Sequence, residues 1–224
     1  MGDYLDLVSS TERPIANNRG FHNSTLEYLE DKYKDSLDAF YEEISFMRGR
    51  IIGLINGNHY VELQAGINGD QYLCEKLHCK YLGVSSFIRL CLRYDRDHTH
   101  QVDMWVHHGL GGATLGANIN SIQKMEQVGR ADIYLMGHNH HKSVNFKSIL
   151  SLTDSRNEMH LKETKILLGR TGSFLKGYER DKRSYIADSG MPPTDLGVIK
   201  IEITPKRKTI NGIDIREIDI HASI

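Results

Sequence analysis

Histidine is the residue type in this sequence with the most scope for chemistry, with 12 copies among 224 residues. Half of them fall in three short clusters, and each cluster directly follows an apolar run of the kind that forms a strand. Loops at strand ends are exposed yet rigidly held, which is where α/β proteins place ligand and catalytic groups. A Gly2-Asp3 pair near the start has the same character. The three clusters are Gly57-Asn58-His59, His107-His108-Gly109 and Gly137-His138-Asn139-His140-His141.

These residue types form one set of metal ligands. Aspartate supplies an anionic oxygen that can bridge two cations, asparagine a neutral oxygen, and histidine a nitrogen that suits Zn, Mn, Fe, Co or Ni. His138 and His140 are two residues apart, so an extended segment would direct both side chains to the same side. Asn58 and His59 are neighbours and diverge, so one can bind metal while the other faces a substrate. A two-metal hydrolase needs this division, with metals about 3.5–4 Å apart and an imidazole that protonates the leaving oxygen.

The four motifs together resemble the second to fifth motifs of the calcineurin-like metallophosphoesterases, in the same order, between residues 2 and 140. The resemblance implies that Asp3 bridges two metals and that His59 is the general acid. It also implies the remaining metal ligands: Asn58, His107 and His138 for one metal, and His140 for the other. The family pattern leaves open whether His107 or His108 is the ligand, and we prefer His107 because it comes first after the strand. The implied cofactors are divalent transition-metal ions, with Mn preferred and Fe, Zn, Co or Ni as alternatives.

Two departures from the family pattern change what we expect. Tyr60 stands where the family has an acid that can orient the histidine before it. The family's first motif, an Asp-x-His on the first strand, lies upstream of the Gly-Asp pair, and only Met1 precedes that pair here. We therefore expect an N-terminally incomplete domain, with a two-metal site in the complete protein and one metal in this chain. The other metal site would be empty or would be completed by oligomerisation, by strand complementation or by other residues, of which Asp6 and His22 are the nearest.

The elements that position these motifs alternate between helix and strand in the first two thirds of the chain and are mostly strands afterwards. This order, with the resemblance, predicts an α/β (α+β) fold: a metallophosphoesterase-like two-sheet β-sandwich flanked by helices and lacking its first strand, in a single domain over residues 1–224. Glycines at four positions make residues 109–116 a loop. The predicted helices span residues 24–47, 70–80 and 117–128, and the predicted strands span 51–55, 84–94, 101–106, 133–136, 198–203 and 213–220.

The composition excludes several classes of protein. Lysine and arginine number 28 against 29 acidic residues, which argues against a basic nucleic-acid arm. No apolar run is long enough to span a membrane, and three cysteines are too few for a disulfide framework. Cys74, His78 and Cys79 fall on a predicted helix with no second pair downstream, so we do not assign them a zinc site. These features predict a soluble, cytoplasmic protein with no membrane partner.

The predicted activity is hydrolysis of a phosphodiester or phosphomonoester by metal-activated hydroxide. A nucleotide or nucleic acid is favoured as substrate, because Asp6 is followed by Leu7-Val8 and not by the arginine of the family's protein phosphatases. Arg170, Lys176 and Arg180 are candidate phosphate contacts, although the last two fall in a segment whose acids offset its charge. The alternative is a non-catalytic or half-site binding or scaffold protein that keeps the fold.

Overall fold

The computed structural model describes residues 1–7, 21–63, 66–93, 96, 99–109, 117–155, 158–188, 190–210 and 213–224. The chain divides into two compact units, Met1–Ser86 (unit 1) and Phe87–Ile224 (unit 2). The single-domain interpretation stays a prediction. No helix in the described part of the chain is both long and apolar enough to cross a membrane.

Unit 1 is built on two helices. Helix α1 spans Asn23–Ile44 and continues as a 3-10 turn over Ser45–Met47, so its end agrees with the predicted helix. It begins one residue earlier than predicted, and His22 caps it: the His22 Nδ1 accepts the Ser24 N–H. Its apolar face packs Leu37 against the second helix, where Leu73 and Leu77 are fully buried. This core fixes the helix that supports the first histidine loop.

Helix α2 spans Gly69–Leu77 and joins two short strands, β1 (Gly53–Leu54) and β2 (Lys80–Tyr81), which pair in parallel. Asn68 begins α2 with a capping box to Gln71. The helix ends three residues before the predicted end because His78 is left-handed (φ 53°) and the Cys79 N–H donates to the Cys74 carbonyl at 3.1 Å. The predicted strand over residues 51–55 is reduced to the two residues that find a partner in β2.

Unit 2 contains a five-stranded sheet in the order β3-β4-β5-β7-β6. Strands β4, β5 and β7 run parallel, and β6 pairs antiparallel with β7. The register aligns His107 with Met136, and Met136 with Arg170. Parallel strands end at the same edge of a sheet, so the loops after His107 and Met136 emerge side by side. The strand bounds are β3 Ser85–Arg93, β4 Thr99–His107, β5 Ile133–Met136, β6 Lys142–Ser155 and β7 Glu158–Thr171.

Helix α3 (Ala117–Gln123) and a following 3-10 turn (Lys124–Gln127) pack on one face of this sheet. Ile122 and Met125 bury Tyr134, Met136 and Leu168 there. The predicted helix over 117–128 and the predicted strand over 133–136 are therefore both present. Most of the glycine-rich loop, residues 110–116, and most of the predicted turn near residues 95–98 lie outside the described residues.

The remaining elements are a short helix α4 (Tyr185–Asp188) and the hairpin of β8 (Lys200–Ile210) and β9 (Ile213–Ser223). Pro205 pairs with Ile218 inside the hairpin, so β8 continues beyond the predicted strand end at residue 203. Proline is tolerated there because each strand of a two-stranded sheet has a free edge. Over the described residues the architecture is mixed α+β, with one five-stranded and two two-stranded sheets. The two-sheet sandwich of the metallophosphoesterases stays a prediction.

Candidate metal centre and acid–base site

Asp3 and the loop after β1 lie in direct contact within unit 1. The His59 backbone N–H donates to Asp3 Oδ1 at 2.8 Å. A Cβ at position 57 would lie 1.9 Å from that oxygen and 2.2 Å from the Asp3 backbone nitrogen. Only glycine fits such an approach, since real Cβ atoms do not come within 3 Å of another heavy atom. The Gly-Asp and Gly-Asn-His motifs are therefore fitted to each other.

Helix α2 holds the same loop from the other side. The Gly57 N–H donates to Asp70 Oδ2 at 3.2 Å, and Asp70 is buried in the first turn of α2. The Asn68 amide, which also caps α2, donates to Asn56 Oδ1 at 2.8 Å. Asn58, the predicted ligand, is half-buried in this loop. The helix start thus fixes the backbone on which Asn58 and His59 stand.

The His59 side chain is oriented by Asp6. Its Nδ1 lies 2.7 Å from Asp6 Oδ1, and the imidazole is 22% exposed. A carboxylate accepts hydrogen bonds, so an Nδ1–H that donates to Asp6 leaves Nε2 as the ring nitrogen that can exchange a proton with a ligand. Sequence reasoning considered Asp6 only as a substitute metal ligand. The signal that could have found this role is its position three residues after Asp3, on the segment that contacts the His59 loop.

In unit 2 the two parallel-strand loops bring His108 and His138 together. His108 Nε2 and His138 Nδ1 are 3.3 Å apart, and the two rings meet nearly edge to face. His108 is buried, with 3% of its surface exposed. When two imidazole nitrogens bind the same tetrahedral metal ion, each at about 2.0–2.1 Å, the two nitrogens are about 3.3 Å apart. The pair therefore has the separation that a shared metal ion requires.

His107, which we preferred as the ligand, faces its own loop. Its Nδ1 accepts the Gly109 N–H at 2.7 Å. Burial lowers the pKa of its imidazole, and the neighbouring His108 lowers it further. Position after the strand therefore does not identify the ligand, because successive side chains leave a strand on opposite sides. The geometry favours His108 as the residue that accompanies His138.

The loop that carries His138 and His140 is a tight turn and not the extended segment that we expected. Both residues are left-handed, with φ 68° and 57°, and the Asn139 N–H donates to the Gly137 carbonyl at 2.9 Å. The two side chains therefore do not share a side by strand alternation. Gly109 packs against this turn, because a Cβ there would lie 2.9 Å from the His138 Cβ.

Left-handed backbone is concentrated at the predicted ligands. Five described non-glycine residues have positive φ, and three of them are Asp3 (φ 52°), His138 and His140. Each such residue costs about 1–3 kcal/mol, and such strain is typical of ligand-binding positions. The other two are His78, which ends α2, and Asp181, which lies in a surface turn.

The three candidate phosphate contacts differ in how far their side chains are buried. Arg170, on β7, is 1% exposed and donates from Nη2 to Ser121 Oγ, so it connects the sheet to α3. Burial also lowers the pKa of its guanidinium. Lys176 is exposed, and Arg180 is fully exposed beside Asp181. His22, considered as a substitute ligand, is the cap of α1.

No family model, curated protein or solved structure matches this chain. The interpretation of the site therefore depends on the four motifs in the sequence and on the geometry within each unit. Within unit 1 that geometry joins Asp3, His59 and Asp6, and within unit 2 it joins His108 and His138.

Proposed function

We propose that this protein is a metal-dependent phosphoesterase that hydrolyses a phosphodiester or phosphomonoester, with a nucleotide or nucleic acid as the favoured substrate. The observation that carries the proposal is the 3.3 Å separation of His108 Nε2 and His138 Nδ1. It fits one transition-metal ion, and it occurs at the loops where the motif pattern places metal ligands.

The proposed ligand set combines oxygen and nitrogen donors. Asp3 and Asn58 supply the oxygens, and His108, His138 and His140 supply the nitrogens. This set suits Mn, Fe, Zn, Co or Ni, and Mn is the preferred ion. A bound ion of this kind would supply the positive charge that polarises a phosphoryl group and makes water nucleophilic near neutral pH.

His59 is proposed as the general acid. With Nδ1 directed to Asp6, its Nε2 would donate a proton to the leaving oxygen as the phosphate ester bond breaks. The His59 N–H bond to Asp3 keeps the acid at a fixed distance from a ligand carboxylate. Asp6 is then a positioning residue, because it acts through His59.

The test is metal binding and turnover by the same preparation. We expect the purified chain to bind Mn²⁺ measured by elemental analysis after desalting, and to hydrolyse bis-p-nitrophenyl phosphate only with the ion. His138→Ala should lose the ion and the activity, whereas His59→Ala should keep the ion and lose the activity. His221→Ala, which changes an exposed histidine on β9, is the control and should behave as wild type.

The outcomes separate the candidate functions. Absence of both ion binding and turnover with every divalent ion tested would overturn the proposal. Ion binding without turnover would favour the non-catalytic binding protein. A plain N–H···N hydrogen bond has the same separation as a shared ion, and loss of binding in His138→Ala excludes that explanation.

A further inference from the structure

The end of helix α2 brings together two of the three cysteines in the chain. The His78 N–H donates to the Glu75 carbonyl at 3.3 Å, and the Cys79 N–H donates to the Cys74 carbonyl at 3.1 Å. These two bonds around a left-handed residue, here His78 with φ 53°, form a Schellman motif. In this motif the residue after the left-handed one folds back onto the last turn of the helix, where an apolar contact usually forms. Here two thiols occupy the positions of that contact.

The thiols of Cys74 and Cys79 are in hydrogen-bonding contact. Cys74 is buried, Cys79 is half-buried, and both belong to the apolar cluster that joins α1 and α2. Two cysteines can be bridged without backbone movement only when their α-carbons lie within about 7 Å and their side chains face each other. Standard bond lengths place two α-carbons at most about 7 Å apart when their backbones share a 3.1 Å hydrogen bond. The pair therefore meets both conditions.

We infer that Cys74 and Cys79 are a reversible dithiol–disulfide pair, which exchanges with low-molecular-weight disulfides such as oxidised glutathione. Cys79 attacks one sulfur of the reagent and releases one thiol, which leaves a mixed disulfide on Cys79. The Cys74 sulfur then attacks the Cys79 sulfur, forms the Cys74–Cys79 bond and releases the second thiol. Two protein thiols are oxidised to one disulfide, one reagent disulfide is reduced to two thiols, and the two protein thiol protons pass to the released sulfurs.

Cys79 makes the first attack because it is the more exposed of the two. Burial raises the pKa of the Cys74 thiol to about 12. Burial also raises the pKa of the Cys79 thiol, although the hydrogen bond from Cys74 opposes that shift. The thiolate is the attacking form, so exchange at neutral pH is slow. The stability of the disulfide, in contrast to its rate of formation, depends on how well the fold holds the two sulfurs together.

The bond would join the last turn of α2 to the residue before β2. The beginning of α2 holds the His59 loop through Asp70 and Asn68, and β2 pairs with β1, which leads into that loop. Oxidation is therefore expected to stabilise the elements of unit 1 that hold the loop. The inference concerns the two thiols and does not depend on the proposed enzymatic function.

The test is disulfide exchange by the full chain in mixtures of reduced and oxidised glutathione at about pH 8.5, where the thiolate fraction is higher than at neutral pH. Trypsin cleaves after Lys76, which places Cys74 and Cys79 on separate peptides, residues 51–76 and 77–80. Mass spectrometry without reduction should find these two peptides joined, and a reductant should separate them. Cys79→Ser should abolish the joined pair, and far-UV circular dichroism verifies that this variant is folded.

A second measurement separates a pair held by the fold from two cysteines that are merely close in sequence. The ratio of disulfide to dithiol at a known glutathione composition gives the effective concentration of the two thiols, in the folded chain and in urea. We expect the folded chain to exceed the unfolded chain at least tenfold, because the Schellman motif holds the sulfurs in contact. By linkage, the disulfide should raise the folding equilibrium constant by the same factor in urea unfolding.

The control is Cys91→Ser, which removes the exposed cysteine of β3 and should leave the joined peptides and the effective concentration unchanged. Three results would each overturn the inference: glutathione that stays on Cys79 without the second step, a Cys79 bond to Cys91 in place of Cys74, or no disulfide at Cys79. An effective concentration that is no higher in the folded chain than in urea would also overturn it, because the fold would then not hold the pair.

Discussion

His59, the proposed general acid, illustrates how a neighbouring residue orients a histidine side chain. The Asp6 carboxylate contacts the His59 imidazole from another segment, and in the proposed mechanism it takes the place of an acid at position 60. Asp6→Asn keeps the shape but removes the charge that holds the imidazole, so we expect kcat to fall about 10–100-fold with little change in KM. Steady-state hydrolysis of bis-p-nitrophenyl phosphate with Mn²⁺ measures both constants.

The matched control for Asp6→Asn is Asp35→Asn, which removes an exposed carboxylate from α1. It should leave kcat and KM unchanged. If Asp6→Asn had wild-type kcat, Asp6 would have no positioning role, and the His59–Asp6 contact would be only structural.

Gly57 allows the closest approach at the site, and its replacement tests whether that approach matters. The Cβ of Gly57→Ala would meet the Asp3 backbone nitrogen, which no rotamer change can relieve. We expect a loss of about 1–3 kcal/mol in the free energy of unfolding and a weaker affinity for Mn²⁺. Urea unfolding and metal titration measure these two effects.

Gly49→Ala separates steric overlap from backbone strain. Gly49 has φ +77°, and no atom of the described residues lies within 4 Å of the position that the new methyl group would take. Its substitution therefore costs about 1–2 kcal/mol of strain alone. It should leave Mn²⁺ affinity unchanged. If Gly57→Ala bound Mn²⁺ as tightly as wild type, the packing of Asp3 against the His59 loop would not be required for metal binding.

At the scale of elements, helices α1 and α2 are joined by a polar contact at the edge of their apolar core. Asp38 accepts from Lys76 Nζ at 2.6 Å and from the Tyr72 hydroxyl at 2.8 Å. The Lys76 ammonium also lies 4.7 Å from the centre of the Tyr41 ring. Because α2 holds the His59 loop, this contact contributes indirectly to the site.

This contact gives stability a pH dependence with a defined sign. The hydrogen bond from Lys76 holds the pKa of Asp38 below its usual value of 3.8. A depressed carboxyl pKa stabilises the folded state above about pH 4, and that contribution is lost as pH falls through the folded pKa. Asp38 is 45% exposed, so solvent limits the contribution to about 1 kcal/mol or less.

We therefore expect Asp38→Asn to lower the free energy of unfolding at pH 7 by up to about 1 kcal/mol and to match wild type near pH 2. Urea unfolding at the two pH values measures the difference. Asp31→Asn, a change of one exposed charge on the same helix, is the control. A difference that persists unchanged at low pH would show that the carboxylate charge is not the cause.

The helices and strands were predicted well from the sequence. The contacts between them were not predicted. The periodic apolar positions of α1 and the compact apolar run of β5 are local signals, and both elements lie where expected. Strand β1 depends on a partner 27 residues later, and only the two residues that meet β2 are strand. The predicted strand over residues 198–203 stops before Pro205, because nothing local shows that β8, which continues through this proline, has a free edge.

The same limit applied to the site. Residue types and spacing identified the loops, and the structure brings His108 and His138 together at the strand ends as parallel pairing requires. Spacing did not indicate the left-handed turn at His138 and His140, nor that the Gly109 N–H occupies the His107 Nδ1. Both depend on how the loops pack on each other.

For the whole molecule, the proposed ligands are distributed over both units, with Asp3 and Asn58 in unit 1 and the histidines in unit 2. The tests of metal binding therefore use the full chain. An ion that binds only the folded chain raises its stability by mass action, so metal binding can be measured as a change in unfolding free energy. The same measurement reports on folding and on ligand identity.

His108 and His107 provide a matched pair for that measurement, since they are adjacent and only His108 lies beside His138. With Mn²⁺ at about 100 times its Kd, wild type and His107→Ala should gain about 2.7 kcal/mol, because both keep the nitrogens of His108 and His138. His108→Ala should gain almost nothing. Urea unfolding with and without Mn²⁺, at one fixed protein concentration, gives these differences. A gain that disappears in His107→Ala and survives in His108→Ala would restore His107 as the ligand and contradict the assignment made from the geometry.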